Sequence, residues 1–280
     1  MAKLTKAETK AHNQACELLK KDVLTHDEKW FVLDNWHEGA EHNNGSTGAF
    51  FTPSGMALDF AIDVGGKRVL DLCAGIGALS FAAWVRNEQN RYEGMVEAEY
   101  VCIEINPAYI EIGKKIMPQA TWVQGDASDL EFIKSLGRFD CVISNPPFGK
   151  RAGGNGNAPR YTGADFEYKI MDIASEVADY GVFIIPQQSS SFFYSGRVAH
   201  RDNDSAKLKK FRQQTGITMD CGVGVDTAYY KDDWKGVAPI CEIVTCNFEE
   251  LQQQRKPTAV VIDFPVNQFQ DPVEQLSLFA

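Results

Sequence analysis

The chain has 280 residues, of which 44% are hydrophobic, and its formal net charge is −10 at pH 7. This length and composition are typical of one large globular domain and argue against a disordered or fibrous protein. No apolar run approaches the roughly 18 to 20 residues that a membrane-spanning helix needs. The N-terminus is polar and lacks a secretory signal, and the seven cysteines are scattered without a CxxC pair. These features predict a cytoplasmic protein with reduced thiols.

Strand-like and helix-like segments alternate from residue 68 onward. Short apolar runs predict strands, and the longer stretches between them predict helices. The predicted strands are residues 68–74, 99–105, 121–126, 139–145 and 181–187, and the clearest predicted helices are residues 77–87, 107–117 and 163–180. Apolar strands separated by helices are typical of a parallel sheet that helices cover on both faces.

Two further apolar segments follow residue 215, and the polar turn between them predicts a closing antiparallel hairpin. The chain is therefore predicted to be an α/β protein with a mostly parallel, seven-stranded sheet. The predicted organisation is an N-terminal helical extension (1–45), a main domain (46–265) and an extended C-terminal tail (266–280).

Glycines, acids and an unusual loop follow four of the predicted strands in succession. They are Gly75 and Gly77 after the first strand, Glu104 at the end of the second, Asp126 after the third, and SNPPFG (144–149) after the fourth. The carboxyl ends of parallel strands meet at one edge of a sheet, which is where α/β proteins bind ligands. The two glycines allow a tight turn close to a ligand, and a carboxylate can accept hydrogen bonds from both hydroxyls of a ribose. This ordered set is more specific than any of its parts.

The loop after the fourth strand is rigid and rich in hydrogen-bond acceptors. Pro146 and Pro147 fix the backbone and offer only carbonyl groups, and Asn145, which precedes a proline, is pushed into an extended conformation. Such a loop suits a ligand that brings hydrogen-bond donors and a flat ring.

Together these motifs resemble those of the class I S-adenosylmethionine-dependent methyltransferases. NPPF resembles the signature of the amino-methyltransferases, best known in adenine-N6 enzymes. The segment from Phe50 to Phe60, which contains Thr52-Pro53, resembles the block that precedes the glycine loop in gamma-class DNA adenine methyltransferases. The resemblance implies a Rossmann-like methyltransferase fold, S-adenosylmethionine as the cofactor, and transfer of a methyl group to an amino group.

The resemblance also implies which residues bind the cofactor. The methionine part would be held by Thr52, Asp71 and the backbone of Ala74, Gly75 and Gly77. Glu104 would bind the ribose hydroxyls, and Ile105, Asp126 and Ala127 would bind the adenine ring. Asn145 would lie at the reacting end of the cofactor.

The implied catalytic residues are Asn145, Pro146, Pro147 and Phe148. The Asn145 side-chain oxygen and the Pro146 carbonyl can bind both hydrogens of an exocyclic amino group, which favours a tetrahedral nitrogen whose lone pair points at the methyl group. Phe148 would stack on the target ring. Alignment of amine and methyl supplies much of the rate, so no metal is required. His37 and His42 have a spacing that fits neither usual zinc motif, and we expect no metal site.

DNA is the favoured substrate, with the target adenine flipped out of the duplex. The residues expected to contact nucleic acid are basic and lie after the NPPF loop or near residue 208: Lys150, Arg151, Arg160, Lys207, Lys209 and Lys210. The chain ends in a QLSLF pentapeptide that resembles the motif by which bacterial proteins bind the sliding clamp. The resemblance implies a clamp contact through Gln275, Leu276, Leu278 and Phe279.

Two other substrates remain open. An RNA adenine methyltransferase would share every site residue, and the stretch FDCVISNPPFGKR resembles small rRNA-modifying enzymes. A protein-glutamine methyltransferase uses the same loop on a side-chain amide, although those enzymes usually have tyrosine at the position of Phe148. The sequence has no large target-recognition segment after the fifth strand, which predicts relaxed or short sequence specificity.

Overall fold

The computed structural model describes residues 4–37, 50–89, 97–150, 158–235 and 237–255. Its strands are β1 (Arg68–Leu72), β2 (Glu99–Glu104), β3 (Thr121–Gln124), β4 (Phe139–Ser144), β5 (Ala178–Pro186), β6 (Phe192–Phe193), β7 (Arg201–Asp202) and β8 (Cys241–Asn247). Its helices are α1 (Lys6–Leu18), α2 (His26–Asn35), α3 (Ser54–Phe60), α4 (Ala78–Gln89), α5 (Pro107–Ile116), α6 (Leu130–Ser135), α7 (Phe166–Val177), α8 (Ala206–Thr215) and α9 (Phe248–Arg255).

The central sheet has six strands within the described residues, in the order β3, β2, β1, β4, β5 and β8. The first five are parallel, and β8 runs antiparallel along β5. The predicted α/β fold with a mostly parallel sheet and an antiparallel closure is therefore confirmed, and it is consistent with a Rossmann-like methyltransferase fold. The strand order reverses between β1 and β4, and open parallel sheets form their ligand clefts at such switch points.

The predicted count of seven strands is wrong for the described part of the chain. The first half of the predicted hairpin contributes only one bridge, in which Asp220 and Thr245 exchange backbone hydrogen bonds of 2.9 and 2.8 Å. Gly222 and Gly224 follow with φ angles of 53° and 75°. This left-handed backbone, which glycine adopts readily, turns the chain before a second strand can form.

One predicted helix is shorter than its sequence pattern suggested. Residues 178–180 belong to β5 and not to α7, because Ala178 and Tyr180 pair in register with Phe139 and Cys141 of β4. Pairing with a buried neighbouring strand therefore outweighs the helical preference of this segment.

Two apolar clusters cover the two faces of the sheet. Adjacent strand residues such as Val69 and Leu70 belong to different clusters, because successive strand side chains point to opposite faces. Ala15 of α1 and Val32 of α2 belong to the same cluster as Val69, so the N-terminal helices share the core of the main domain. The predicted boundaries at residues 45 and 265 lie outside the described residues and stay predictions. No described helix combines the length and apolar character needed to cross a membrane.

Candidate active site

A cleft of about 720 Å³ opens beyond the carboxyl ends of the parallel strands, beside a smaller pocket of about 290 Å³. Both lie at the switch point between β1 and β4. The predicted site residues that line them are Thr52, Asp71, Ala74, Gly75, Glu104, Ile105, Asp126, Ala127, Asn145 and Pro147. Gly77, Pro146 and Phe148 were also predicted, but they do not line either cavity.

The turn after β1 is held against the end of β2. Gly75 has a φ angle of 57°, and a Cβ atom there would come within 3.3 Å of the Phe51 ring, so the turn requires glycine. The Gly75 amide donates a 2.9 Å hydrogen bond to one carboxylate oxygen of Glu104, and the Asn106 amide donates a 2.8 Å bond to the other. These contacts fix the Glu104 carboxylate at the wall of the cleft.

Asp71 is a buried acid beside the smaller pocket. Its Oδ2 accepts a 2.6 Å hydrogen bond from the Ser80 hydroxyl, whereas Oδ1 is buried without a hydrogen-bond partner in the described structure. Burial raises the pKa of Asp71 from 3.8 to about 7; the Ser80 hydrogen bond opposes this rise and the charge of Glu104 adds to it. An unsatisfied buried oxygen is costly, and a ligand cation would satisfy it.

Asn145 is oriented by the segment that precedes α3. Its Nδ2 group donates hydrogen bonds to the Phe50 carbonyl at 3.1 Å and to Thr52 Oγ1 at 2.9 Å. Both N–H groups of the amide are therefore used, and Oδ1 is left as an acceptor in the cleft. Thr52 was predicted to contact the methionine part of the cofactor; the structure places its hydroxyl against Asn145, and the residue also lines the smaller pocket.

Aromatic side chains that the sequence did not assign form much of the cleft wall. They are Phe50, Phe51, Tyr109 and Phe166. The Phe148 ring meets the Phe50 ring edge to face, with 6.1 Å between centroids. The doubled phenylalanine before Thr52-Pro53 was the sequence signal for two of these residues, whereas Tyr109 and Phe166 lie inside amphipathic helices and gave none.

The N-terminal helices support this aromatic wall from behind. Trp36, just after α2, packs edge to face on both Phe51 and Tyr109. Lys235 Nζ donates hydrogen bonds to the carbonyls of Leu33 and Trp36, the latter at 2.9 Å. Burial lowers the pKa of Lys235 to about 8.

Another part of the cleft wall combines an apolar surface with an acidic side chain. Ile105 is 47% exposed although it is apolar, and the buried Ala127 also lines the cleft. Asp126 Oδ1 accepts hydrogen bonds from the Ser128 amide at 2.9 Å and from the Ser128 hydroxyl at 2.7 Å. This arrangement offers a flat ring an apolar contact and a fixed carboxylate at its edge.

The loop containing Asn145 is held from its far side by Glu167, which is fully buried. Its Oε2 accepts a 2.9 Å hydrogen bond from the Gly149 amide, and its Oε1 accepts hydrogen bonds from the Ser189 hydroxyl at 2.7 Å and from Lys207 Nζ at 3.2 Å. The carboxylate thus connects the NPPFG turn to the segment after β5 and to α8. No motif in the sequence predicts this contact.

Replacing Glu167 with glutamine is expected to lower kcat roughly 10- to 100-fold, because a hydrogen bond to a charged group contributes about 1.5–3 kcal/mol and this one fixes the reacting loop. The affinity for S-adenosylmethionine should change little, because Glu167 does not line the cleft. The matched control is Glu176→Gln on the same helix, whose carboxylate pairs with Arg160 and Arg255. Equal kcat values for the two variants would contradict the prediction.

Two of the residues predicted to contact nucleic acid form ion pairs with acids on or just before α7. Arg160 pairs with Glu176 at 2.6 Å, and Lys207 pairs with Asp165 at 2.8 Å as well as with Glu167. These cations therefore stabilise the fold around the NPPF loop. The side chains of Lys150, Lys209 and Lys210 are exposed; Lys209 lies 3.8 Å from Asp204, and Lys210 lies over the Tyr161 ring at 6.0 Å. The nucleic-acid contacts of all these residues stay predictions.

Several predicted residues lie outside the described residues. They are Arg151, His42, and Gln275, Leu276, Leu278 and Phe279 of the C-terminal pentapeptide. Within the described residues no group of three or more histidine, cysteine or acidic side chains is placed to hold a metal ion.

Comparison with known proteins finds similarity to methyltransferases. Residues 56–158, less than half of the chain, match the model of the methyltransferase small domain family. A release factor glutamine methyltransferase from Corynebacterium glutamicum is 29% identical over 91 residues, which are 31% of this chain and 30% of that protein. The chain therefore spans under a third of the length of that relative.

Solved structures agree on the fold. A structure from Listeria monocytogenes, assigned as a class I S-adenosylmethionine-dependent methyltransferase, has a TM-score of 0.53 and 15% identity, covering 82% of this chain and 69% of that one. A modification subunit assigned to a type I restriction enzyme of Vibrio vulnificus has a TM-score of 0.54 and 12% identity, covering 81% of this chain and 50% of that one. The comparisons support a methyltransferase domain that uses S-adenosylmethionine.

Proposed function

We propose that the protein transfers the methyl group of S-adenosylmethionine to the N6 amino group of adenine in DNA. The observation that supports this most is the orientation of Asn145. Its two N–H groups are bound to Phe50 and Thr52, so its Oδ1 remains an acceptor in the cleft. An amino group attached to an aromatic ring needs this chemistry, because its lone pair is delocalised until acceptors bind its hydrogens.

The cleft also fits the cofactor. S-adenosylmethionine, when bound, supplies an electrophilic methyl group. The unsatisfied Oδ1 of Asp71 would accept from the amino group of the methionine part, and the backbone at Gly75 would lie along the same part. Glu104 would bind the ribose hydroxyls, while Ile105, Ala127 and Asp126 would hold the adenine ring.

The reaction then requires the target nitrogen to lie between two acceptors and in line with the methyl group. Asn145 Oδ1 would accept one N6 hydrogen and the Pro146 carbonyl the other, which favours a tetrahedral nitrogen. Phe148 and Phe50 would provide the aromatic surface next to the flipped base. The N–C bond would form as the bond between the methyl group and the cofactor sulfur breaks, and the positively charged N6 would then release one proton to solvent. Positioning supplies much of the rate. In a duplex the target base must leave the stack before it can reach this loop.

The test is methyl transfer from labelled S-adenosylmethionine to duplex DNA, single-stranded DNA and structured RNA in parallel, with nucleoside analysis of the products. We expect N6-methyladenine in DNA, and its rate of formation should fall roughly 10²- to 10³-fold with Asn145→Ala. Label in RNA alone would support an RNA adenine methyltransferase instead.

A protein substrate is the second candidate, and the similarity to a glutamine methyltransferase favours it specifically. A glutamine side-chain amide also presents an N–H₂ group whose hydrogens the same acceptors could bind. Methylation of glutamine in a protein mixture, with no label in nucleic acid, would establish this reading in place of the first.

We also propose that the terminal QLSLF pentapeptide binds the bacterial sliding clamp. A peptide of this kind can insert Leu278 and Phe279 into an apolar pocket while Gln275 hydrogen-bonds at its rim. Tethering would raise the local concentration on DNA, which would compensate for the net charge of −10. Deletion of residues 275–279 should abolish clamp binding in a pull-down and leave methyl transfer to short DNA unchanged; retained clamp binding would refute the proposal.

A further inference from the structure

The strands β6 and β7 form a small hairpin with a basic and apolar tip. The accessible surface of Val198 is 109% of the reference value for an exposed valine, so its side chain is fully exposed. Arg197, His200 and Arg201 are exposed beside it. Three basic residues within five positions stand out in a chain whose net charge is −10. Isolated surface apolar residues are common, but a fully exposed valine between two arginines is a specific combination.

The base of this hairpin is held rigidly. The Asn203 amide donates to the Ser191 carbonyl at 2.8 Å, and its side chain donates to the Ser190 carbonyl at 2.7 Å. The amides of Tyr194 and Ser195 donate to the fully buried Glu242 of β8 at 2.8 and 2.9 Å. The tip is therefore preorganised, which reduces the entropy lost when it binds a partner.

The hairpin stands at the same edge of the sheet as the NPPF loop. It follows β5, whose carboxyl end lies next to that of β4. The connecting segment contains Ser189, whose hydroxyl donates to Glu167, and Glu167 in turn binds the Gly149 amide. A single buried carboxylate thus separates the segment leading to the hairpin from the loop of Asn145.

The arginines of the hairpin remain available for a ligand, unlike Arg160 and Lys207. Arg201 forms no ion pair with any residue that the structure describes. Arg197 lies over the Phe193 ring at 5.7 Å and donates a 3.3 Å hydrogen bond to Gln187 Oε1, which orients its guanidinium without neutralising it.

We infer that this hairpin, residues 192–202, contacts duplex DNA beside the target base. Arg197 and Arg201 bind phosphate oxygens, and Val198 presses against the base stack and favours release of the target base. Guanidinium groups bind phosphates bidentately, and apolar side chains inserted at a base step are a known means of unstacking a duplex. The inference rests on the proposed DNA substrate.

The experiment measures binding of labelled random-sequence duplex DNA, single-stranded DNA and duplex RNA by fluorescence anisotropy at several salt concentrations, together with methyl transfer. Arg197→Ala/Arg201→Ala should weaken duplex binding about tenfold or more and reduce the slope of log K against log salt by up to about 2. Lys10→Ala, which removes an exposed charge on α1, should change neither quantity.

Val198→Ser should lower kcat/KM on duplex DNA several-fold and leave it unchanged on single-stranded DNA, where no base has to leave a stack. The control is Val23→Ser, because Val23 is also strongly exposed (81%) but lies between α1 and α2.

Each outcome decides the inference. If the wild type methylates DNA and the hairpin variants behave as the wild type does, the hairpin contact is refuted and the proposed function stands. A wild-type protein that neither binds nor methylates nucleic acid would overturn both. Sensitivity of the variants on duplex RNA but not on DNA would replace DNA with RNA as the partner.

Discussion

Asn145→Ala is expected to lower kcat by roughly 10²- to 10³-fold, which is the usual effect of removing one group that stabilises developing charge in a transition state. The change removes the Oδ1 acceptor, so one hydrogen of the target amine loses its partner while its nitrogen becomes positive. Pro146 still offers its carbonyl, and residual activity should remain. The measurement is single-turnover methyl transfer with saturating cofactor, so that binding and chemistry are separated.

The hydroxyl of Thr52 gives this prediction an internal control. Thr52→Val removes the acceptor that binds Asn145 Nδ2 at 2.9 Å and leaves the Asn145 oxygen in place. We expect a smaller loss, about 5- to 10-fold, which corresponds to the net contribution of one neutral hydrogen bond. Thr52→Ser keeps the hydroxyl and should retain most of the activity. Equal effects of the valine and serine changes would show that Asn145 is not oriented by this contact.

The second large effect concerns the pH dependence of cofactor affinity. Burial raises the pKa of Asp71 to about 7, so the side chain is mostly protonated in the free protein below that pH. Ionised Asp71 would attract the positive cofactor, and its affinity should therefore rise about tenfold per pH unit up to pH 7 and level off above it. Calorimetric titration of S-adenosylmethionine between pH 5.5 and 8.5, a range of about 1.5 units on either side of this pKa, measures the profile.

Asp71→Asn should flatten this profile and weaken binding at high pH. The same change should have the opposite effect on the free protein. In the folded state the raised pKa disfavours the charged carboxylate, so Asp71 costs stability increasingly as pH rises from 3.8 to about 7. The asparagine variant should therefore unfold at a higher temperature than the wild type at pH 8, and the difference should shrink at pH 5. A pH-independent cofactor affinity in the wild type would refute the role of Asp71.

The strand ends could be predicted because their signals are local. Gly75, Glu104 and Asn145 each follow an apolar run within a few positions, and the rule for open parallel sheets then brings them to one edge. The contact between Thr52 and Asn145 could not be predicted, because it joins residues 93 positions apart and depends on the direction of one amide group. The role of Glu167 could not be predicted either, because its position near the start of α7 is also compatible with an ordinary exposed helix residue.

Clusters of charge in the sequence did not reveal the internal ion pairs of individual residues. Lys207 and Arg160 belong to basic sequence clusters, yet their partners are acids on or just before α7, which the sequence alone does not bring near them. Within the described residues, the closing hairpin predicted after residue 215 did not form a seventh strand, because glycines redirected the backbone after a single bridge. In both cases the outcome depends on which segments meet in three dimensions.

The packing of Trp36 on Phe51 and Tyr109 has a consequence for any attempt to shorten the protein. Lys235 donates a hydrogen bond to the carbonyl of Trp36, 199 positions earlier in the chain, and so holds the end of α2 against the rest of the fold. The family match begins only at residue 56 and ends at residue 158, so a fragment cut to that match would lack both Trp36 and Lys235. Such a fragment would keep the glycine turn and the NPPF loop but lose the support behind the aromatic wall, so a fragment that retains this support must include at least residues 33–235.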